Sequence, residues 1–198
     1  GFMDVTIGAD KDGKVIAWDS HHWGSDGING GTVSAGVVPY VFDVENRRRR
    51  ATGLITNCGP TRAWRAPNHP QACSLTATAF DDIAAKLEMD SLDVFMKNLD
   101  LTDRPEVYAE ELRIGAELID WKAKWHPHGK GAADGGWKRG LGLAMHTWGG
   151  RAHPAQCTLK VHPDGTVESL AGSQDLGTGT RTVIAVTIAE TFGIPLSM

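Results

Sequence analysis

The pattern of apolar and polar residues along Met3–Gly8 and Lys14–Trp23 reads as two strands. Lys11-Asp12-Gly13 between them supplies the positive φ of a tight hairpin turn. Gly24–Gly36 is rich in Gly and Ser and reads as an irregular crossing, either turn chemistry or close approach of another group, before strand character resumes at Val37–Phe42 and Ala51–Thr56. From Pro70 the period changes. Ala72, Leu75, Ala79, Phe80, Ile83, Ala84 and Leu87 recur at spacings of three and four and predict an amphipathic helix packed on a core. Ser91 is placed to cap a shorter helix ending near Leu99, with Asp93 in its first turn, and Pro105 opens a third helix through about Trp125.

Trp125–Trp137 is dominated by His, Pro, Gly and Lys, a composition shift that marks a linker. Strands follow at Gly140–Trp148, Gln156–Val161 and Thr166–Ala171, with a Pro163-Asp164-Gly165 turn between the last two and a final helix from Thr180. The pattern is an α+β fold in two beta-plus-helix halves: residues 1–125, a linker at 126–137, and residues 138–198.

Composition narrows the function classes. The 198 residues carry a formal charge of −4, which argues against general nucleic-acid binding, since phosphate contacts need a basic surface. Arg47–Arg50 is the one basic run and reads as an exposed strand with solvated side chains. No apolar stretch approaches the roughly twenty residues that span a bilayer, and the N-terminus lacks a signal-peptide pattern. A cytoplasmic location is expected, or a periplasmic one should a leader precede Gly1. Cys58, Cys73 and Cys157 are odd in number and without C-x-x-C spacing, which disfavours disulfides and any metal or iron–sulfur centre built from this chain. His21-His22 and His126/His128 lack metal-ligand company, and the dispersed tryptophans read as core and interdomain packing.

Two junctions between strand-like and helix-like runs carry the candidate chemistry. In Ala63-Trp64-Arg65-Ala66-Pro67-Asn68-His69-Pro70-Gln71, Arg65 offers a permanent charge and five donors, fit either for an oxygen-rich anion or for a surface ion pair. In Gly172–Thr182, Gly177 and Gly179 let the backbone approach a bulky ligand, and the helix starting near Thr180 presents N–H groups to an anion. Thr178 and Thr180 add hydroxyls and Gln174 a two-sided amide; helix capping is the alternative reading.

These two loops, in order with Pro39-Tyr40, Thr56-Asn57 and Lys138-Arg139-Gly140-Leu141-Gly142-Leu143-Ala144, resemble the molybdenum-binding large subunit of the xanthine dehydrogenase and aldehyde oxidase family from about Val5 onward. The resemblance implies a partial chain that binds a molybdenum–molybdopterin cofactor, in its cytosine dinucleotide form. Trp64, Arg65, Ala66, Gln174, Gly177, Thr178, Gly179 and Thr180 would form the cofactor shell, and Pro67 and Asn68 would face substrate. It also implies hydroxylation of an aldehyde or aromatic N-heterocycle with water as oxygen donor, and partners bearing [2Fe-2S] clusters and FAD beside the remainder of the molybdenum subunit.

Pro67 stands where purine-oxidising members have an aromatic residue, and Ala66 where carbon monoxide dehydrogenases have a copper-binding cysteine, so neither activity is expected. The family's general-base glutamate is expected beyond Met198, which leaves no catalytic residue to name here and predicts that the chain alone is inactive. A non-catalytic binding or assembly module retaining the fold without molybdenum is the rival reading, and a phosphate- or nucleotide-binding domain using only the second loop is another.

Overall fold

The computed structural model describes residues 2–30, 35–62, 65–149 and 154–197. Strands β1 (Phe2–Ala9), β2 (Val15–Ser25) and β3 (Asn46–Leu54) form one sheet in the order β1-β2-β3. The β1–β2 hairpin turns at Gly13 (φ 84°), as the Asp-Gly pair predicts. β3 runs parallel to β2, so the chain crosses over between them. The arginine run lies on β3 and is exposed, as expected; Arg48 and Arg50 pair with Asp19 on β2, while Arg49 donates to the Gly36 and Val38 carbonyls.

The crossover does not hold the expected strand at Val37–Phe42. A 3-10 turn at Ala35–Val37 leads into bends, and Val41 takes φ 73°. Pro39 has no amide hydrogen, the Tyr40 amide donates to the Thr76 hydroxyl (2.8 Å) and the Asp43 amide to the Leu101 carbonyl (2.6 Å), so no ladder forms. The segment is apolar because it is core: Val38, Tyr40, Phe42 and Val44 are buried with Trp18, Phe80, Val94 and Phe95. Phe42 stacks on Phe80 with ring centroids 4.3 Å apart, and Phe95 meets both.

Helix α1 (His69–Lys86) turns the predicted stripe of Ala72, Ala79, Phe80, Ile83 and Ala84 onto that core. Helix α2 (Ser91–Lys97) is capped by Asp90 instead of Ser91: the Asp90 carboxylate accepts from the Leu92 amide, and the Ser91 hydroxyl donates to Asp81. The predicted long third helix is two, α3 (Pro105–Leu118) and α4 (Trp121–Lys124), broken at Asp120 (φ 58°). Just after the break the Trp121 ring is buried and its indole N–H donates to Asp90 at 3.0 Å. Two-residue strands β4 (Ala133–Asp134) and β5 (Trp137–Lys138) pair across the end of the expected linker, Lys138 lying just beyond it.

The strand expected at Gly140–Trp148 is absent; residues 139–149 have no regular structure. Their polar groups are served by side chains instead, the Met145 carbonyl by the Cys73 thiol (3.3 Å) and both Thr147 backbone groups by the Tyr40 hydroxyl. Trp18 and Trp121 are buried as expected of packing residues, but Trp137 and Trp148 are 76% and 56% exposed.

Contacts divide the chain into two compact units, Gly1–Trp148 and Gly149–Met198. The second holds an antiparallel hairpin of β6 (Cys157–Val161) and β7 (Val167–Ala171), closed at Gly165, and helix α5 (Thr180–Phe192).

Candidate functional site: two loops at helix N-termini

The first loop enters α1. Ala66 (φ 56°) and Asn68 (φ 69°) both occupy the left-handed region that favours glycine. Asn68 precedes the helix without a side-chain cap, the His69 amide donates back to the Ala66 carbonyl (3.1 Å), and Pro70 in the first turn sits where a missing N–H costs nothing. Arg65 and Pro67 are exposed, and Ala66 and Asn68 partly so. Trp64 lies outside the described residues.

Directly behind this loop stands an aromatic cluster. The His69 Nδ1 is 2.8 Å from the Tyr40 hydroxyl, and the His69 ring meets Trp148 edge-on at 4.6 Å and lies 6.5 Å from the His146 ring. Burial raises the Tyr40 phenol above its ordinary range, with the Thr147 hydrogen bond opposing, and burial likewise raises the Cys73 thiol. Cys73 is therefore a structural thiol that donates to Met145.

The second loop enters α5. Gly177 (φ 96°) and Gly179 (φ 71°) take the left-handed region, and a Cβ built on Gly179 meets nothing within 4 Å. Gln174, Gly177 and Thr178 are exposed, Gly179 and Thr180 partly so, and the Thr178 and Thr180 hydroxyls lie 3.0 Å apart. The amides expected to be open are engaged: Asp175 Oδ1 accepts from Gly177 (2.9 Å), Thr178 (3.0 Å) and Gly179 (3.2 Å). These bonds, Gly177's foremost, hold the Asp175 carboxyl below the usual carboxylate range. The loop is thus an anion nest with its own carboxylate seated in it. Asp175 was not among the expected site residues, although an Asp two residues before a glycine is a local turn signal.

A carboxylate oxygen in the nest is a direct test of what the donors suit: they hold an oxyanion. Phosphate or carbonyl oxygens of a cofactor fit the same donor set, either in place of Asp175 or beside it at the Thr178 and Thr180 hydroxyls and the Gln174 amide. The Arg65 loop belongs to the first compact unit and the Gly177–Gly179 loop to the second.

The other titratable clusters are structural. His21 Nε2 bonds the Thr52 hydroxyl and buried His22 the Ser20 hydroxyl, and burial lowers the His22 pKa. Both His126 nitrogens face carbonyls, Pro127 O (3.0 Å) and Arg139 O (2.9 Å). Among the described residues no group of three or more His, Cys, Asp or Glu could hold a metal, and no helix is long and apolar enough to cross a membrane.

The molybdopterin cofactor-binding domain matches this chain twice, one family model over residues 1–99 and a second over residues 115–198. The chain is 28% identical over 202 residues to the aldehyde oxidoreductase molybdenum-binding subunit PaoC of Escherichia coli O157:H7, covering 97% of this chain and 27% of that protein. It is 27% identical over 217 residues to the xanthine dehydrogenase molybdenum-binding subunit of the same organism, covering 98% of this chain and 28% of the relative. The fold is that of quinoline 2-oxidoreductase from Pseudomonas putida 86, with a TM-score of 0.72 at 15% identity over 98% of this chain and 29% of that one. The aldehyde oxidoreductase of Desulfovibrio desulfuricans gives 0.68 at 19% identity, over 98% of this chain and 24% of that one. The chain spans a little over a quarter of the length of these curated relatives. With both halves matched, it belongs to the family of molybdenum-binding subunits of the xanthine dehydrogenases and aldehyde oxidases, of which it carries molybdopterin cofactor-binding domains.

Proposed function

We propose that this chain is the cofactor-binding portion of a molybdenum hydroxylase that oxidises an aldehyde or an aromatic N-heterocycle. The observation that supports it most is the pair of helix N-termini, one fronted by Arg65 and one by an anion nest, each of which suits oxygen-rich anionic groups. When bound, the molybdenum–pterin group supplies a two-electron oxidation in which an oxygen atom from water enters the substrate and two electrons and two protons leave.

This chain's residues bind and orient. Arg65, with Trp64 and Ala66, neutralises and fixes the anionic end of the group. Gly177 and Gly179 keep side-chain bulk away from it, and Gln174, Thr178 and Thr180 donate hydrogen bonds to its oxygens. Pro67 and Asn68 flank the substrate side. A cytosine dinucleotide form suits the additional phosphate that the nest of the second loop would take. The electrons pass to partner subunits bearing [2Fe-2S] clusters and FAD, in the cytoplasm.

The functional division we propose remains residues 1–125 and 138–198 about a linker at 126–137. It differs from the division by contacts because residues 139–148, although matched with the second family region, pack on Tyr40 and Cys73 of the first.

One observation favours the rival reading of a non-catalytic module: the nest's amides are already engaged by the chain's own Asp175. Molybdenum and pterin measured in the purified protein, alone and with co-purifying partners, separate the two. Stoichiometric cofactor in either preparation is expected, and metal-free, pterin-free material in both sinks the proposal.

A further inference from the structure

Tyr40 is fixed at both ends. Its ring is 3% exposed, its amide donates to Thr76, and its hydroxyl meets three groups: His69 Nδ1 at 2.8 Å, the Thr147 carbonyl at 2.5 Å and the Thr147 amide at 3.2 Å. The donor roles follow from chemistry alone. A carbonyl only accepts and an amide only donates, so the hydroxyl hydrogen goes to Thr147 O and one lone pair takes the Thr147 N–H. The bond to His69 then requires the hydrogen to sit on Nδ1. In the neutral ring His69 Nε2 then carries the lone pair, and no hydrogen bond to it is found among the described residues.

His69 follows the arginine loop without an intervening residue and is half-buried against Tyr40 and Trp148. The loop itself holds Ala66 and Asn68 in left-handed conformations, which persist only where the surroundings over-determine them. The Tyr40–His69 bond ties the end of that loop to the backbone of residue 147, and Arg104 steadies the same point by donating to the Thr147 hydroxyl at 3.0 Å.

We propose that Tyr40 is a positioning residue that holds His69 in its Nδ1–H form, and that His69 Nε2 accepts a hydrogen bond from a ring N–H or amino group of the ligand held beside the arginine loop. The second half rests on the cofactor reading above; the first does not.

Selective 15N-histidine labelling of the full protein tests the first half, with the His69 signal assigned by its loss in His69→Gln. The Nδ1–H form is expected, and Tyr40→Phe should let the Nε2–H form appear. An Nε2–H tautomer of the neutral ring in the unaltered protein overturns it, whether or not any cofactor is present. For the second half, pterin retained per chain after gel filtration is compared between two His69 variants. His69→Gln sets an amide oxygen near the Nε2 position and should retain pterin within about twofold. His69→Asn reaches only the Nδ1 position and should lose about tenfold, the worth of one hydrogen bond. Equal retention, the reverse order, or unaltered protein devoid of pterin overturns the ligand half, and only the last of these also counts against the proposed function.

Discussion

Asn98 is the most constrained polar side chain in the first unit. It is wholly buried; its oxygen accepts from the Val15 amide (2.8 Å), and its nitrogen donates to the Gly13 and Val94 carbonyls (each 2.8 Å). One side chain thereby joins the β1–β2 turn to the end of α2. A carboxylate in its place cannot donate and must be buried, so Asn98→Asp should lower the unfolding free energy by about 3 kcal/mol in urea titration. Asp175 works the other way, as an exposed group whose charge organises backbone. Its carboxyl is held below the ordinary range, so what it contributes to the loop is present above the unfolded carboxylate pKa of about 4 and is lost as pH falls through the lower folded value. The amides of Gly177, Thr178 and Gly179 should therefore lose protection relative to their intrinsic exchange rates as the pH drops below about 4, and Asp175→Ala should show that loss already at pH 7. No change in Asp175→Ala would remove the nest.

The elements that sequence reading found are those whose signals are local. Both Asp-Gly hairpins, at Gly13 and Gly165, and the stripe of α1 depend on neighbours a few residues away. The two expected strands that do not form, Val37–Phe42 and Gly140–Trp148, share a cause. Each has an apolar run of strand composition, but its backbone groups are met by side chains far along the chain, Thr76 for Tyr40 and Tyr40 for Thr147, which no window reveals. The candidate site divides the same way. The left-handed turns at Gly177 and Gly179 follow from local glycine chemistry, whereas the seat of Asp175 in the nest and the Tyr40–His69 contact depend on groups that sequence reading did not bring together.

The expected linker has a fastening of its own. Two carbonyls can bond both nitrogens of His126 only when both carry hydrogen, and these bonds raise the His126 pKa, Pro127's foremost. The fastening is complete below the unfolded histidine pKa of about 6.5 and is lost as pH rises through the raised folded value. An added Cβ at Gly131 would lie 2.4 Å from His126 Nε2, so the ring would have to move. Gly131→Ala should displace the ring and bring the His126 titration, followed by proton NMR, back toward its ordinary range.

At the scale of the molecule the two units are unequally finished. The first has a continuous core, whereas α5 buries none of its described residues and β6 is exposed throughout. An open groove of about 430 Å³ between β7 and α5 is lined by Val167, Ile184, Ile188, Ile194 and Leu196. Without the burial of one or two apolar side chains, about 2.7 kcal/mol, amides of α5 should exchange at least about a hundredfold faster than those of α1 when this chain is measured by itself. Equal protection would mean that the second unit is as well packed as the first.

The proposed function requires the residues of the Arg65 loop and those of the Gly177–Gly179 loop each to bind the molybdenum cofactor. Pterin and molybdenum per chain, measured on the purified protein and on Arg65→Ala and Gly179→Val, test it most directly. Stoichiometric cofactor is expected in the unaltered protein, and a loss of about tenfold or more in each variant. Cofactor retained at the unaltered level in either variant would contradict it.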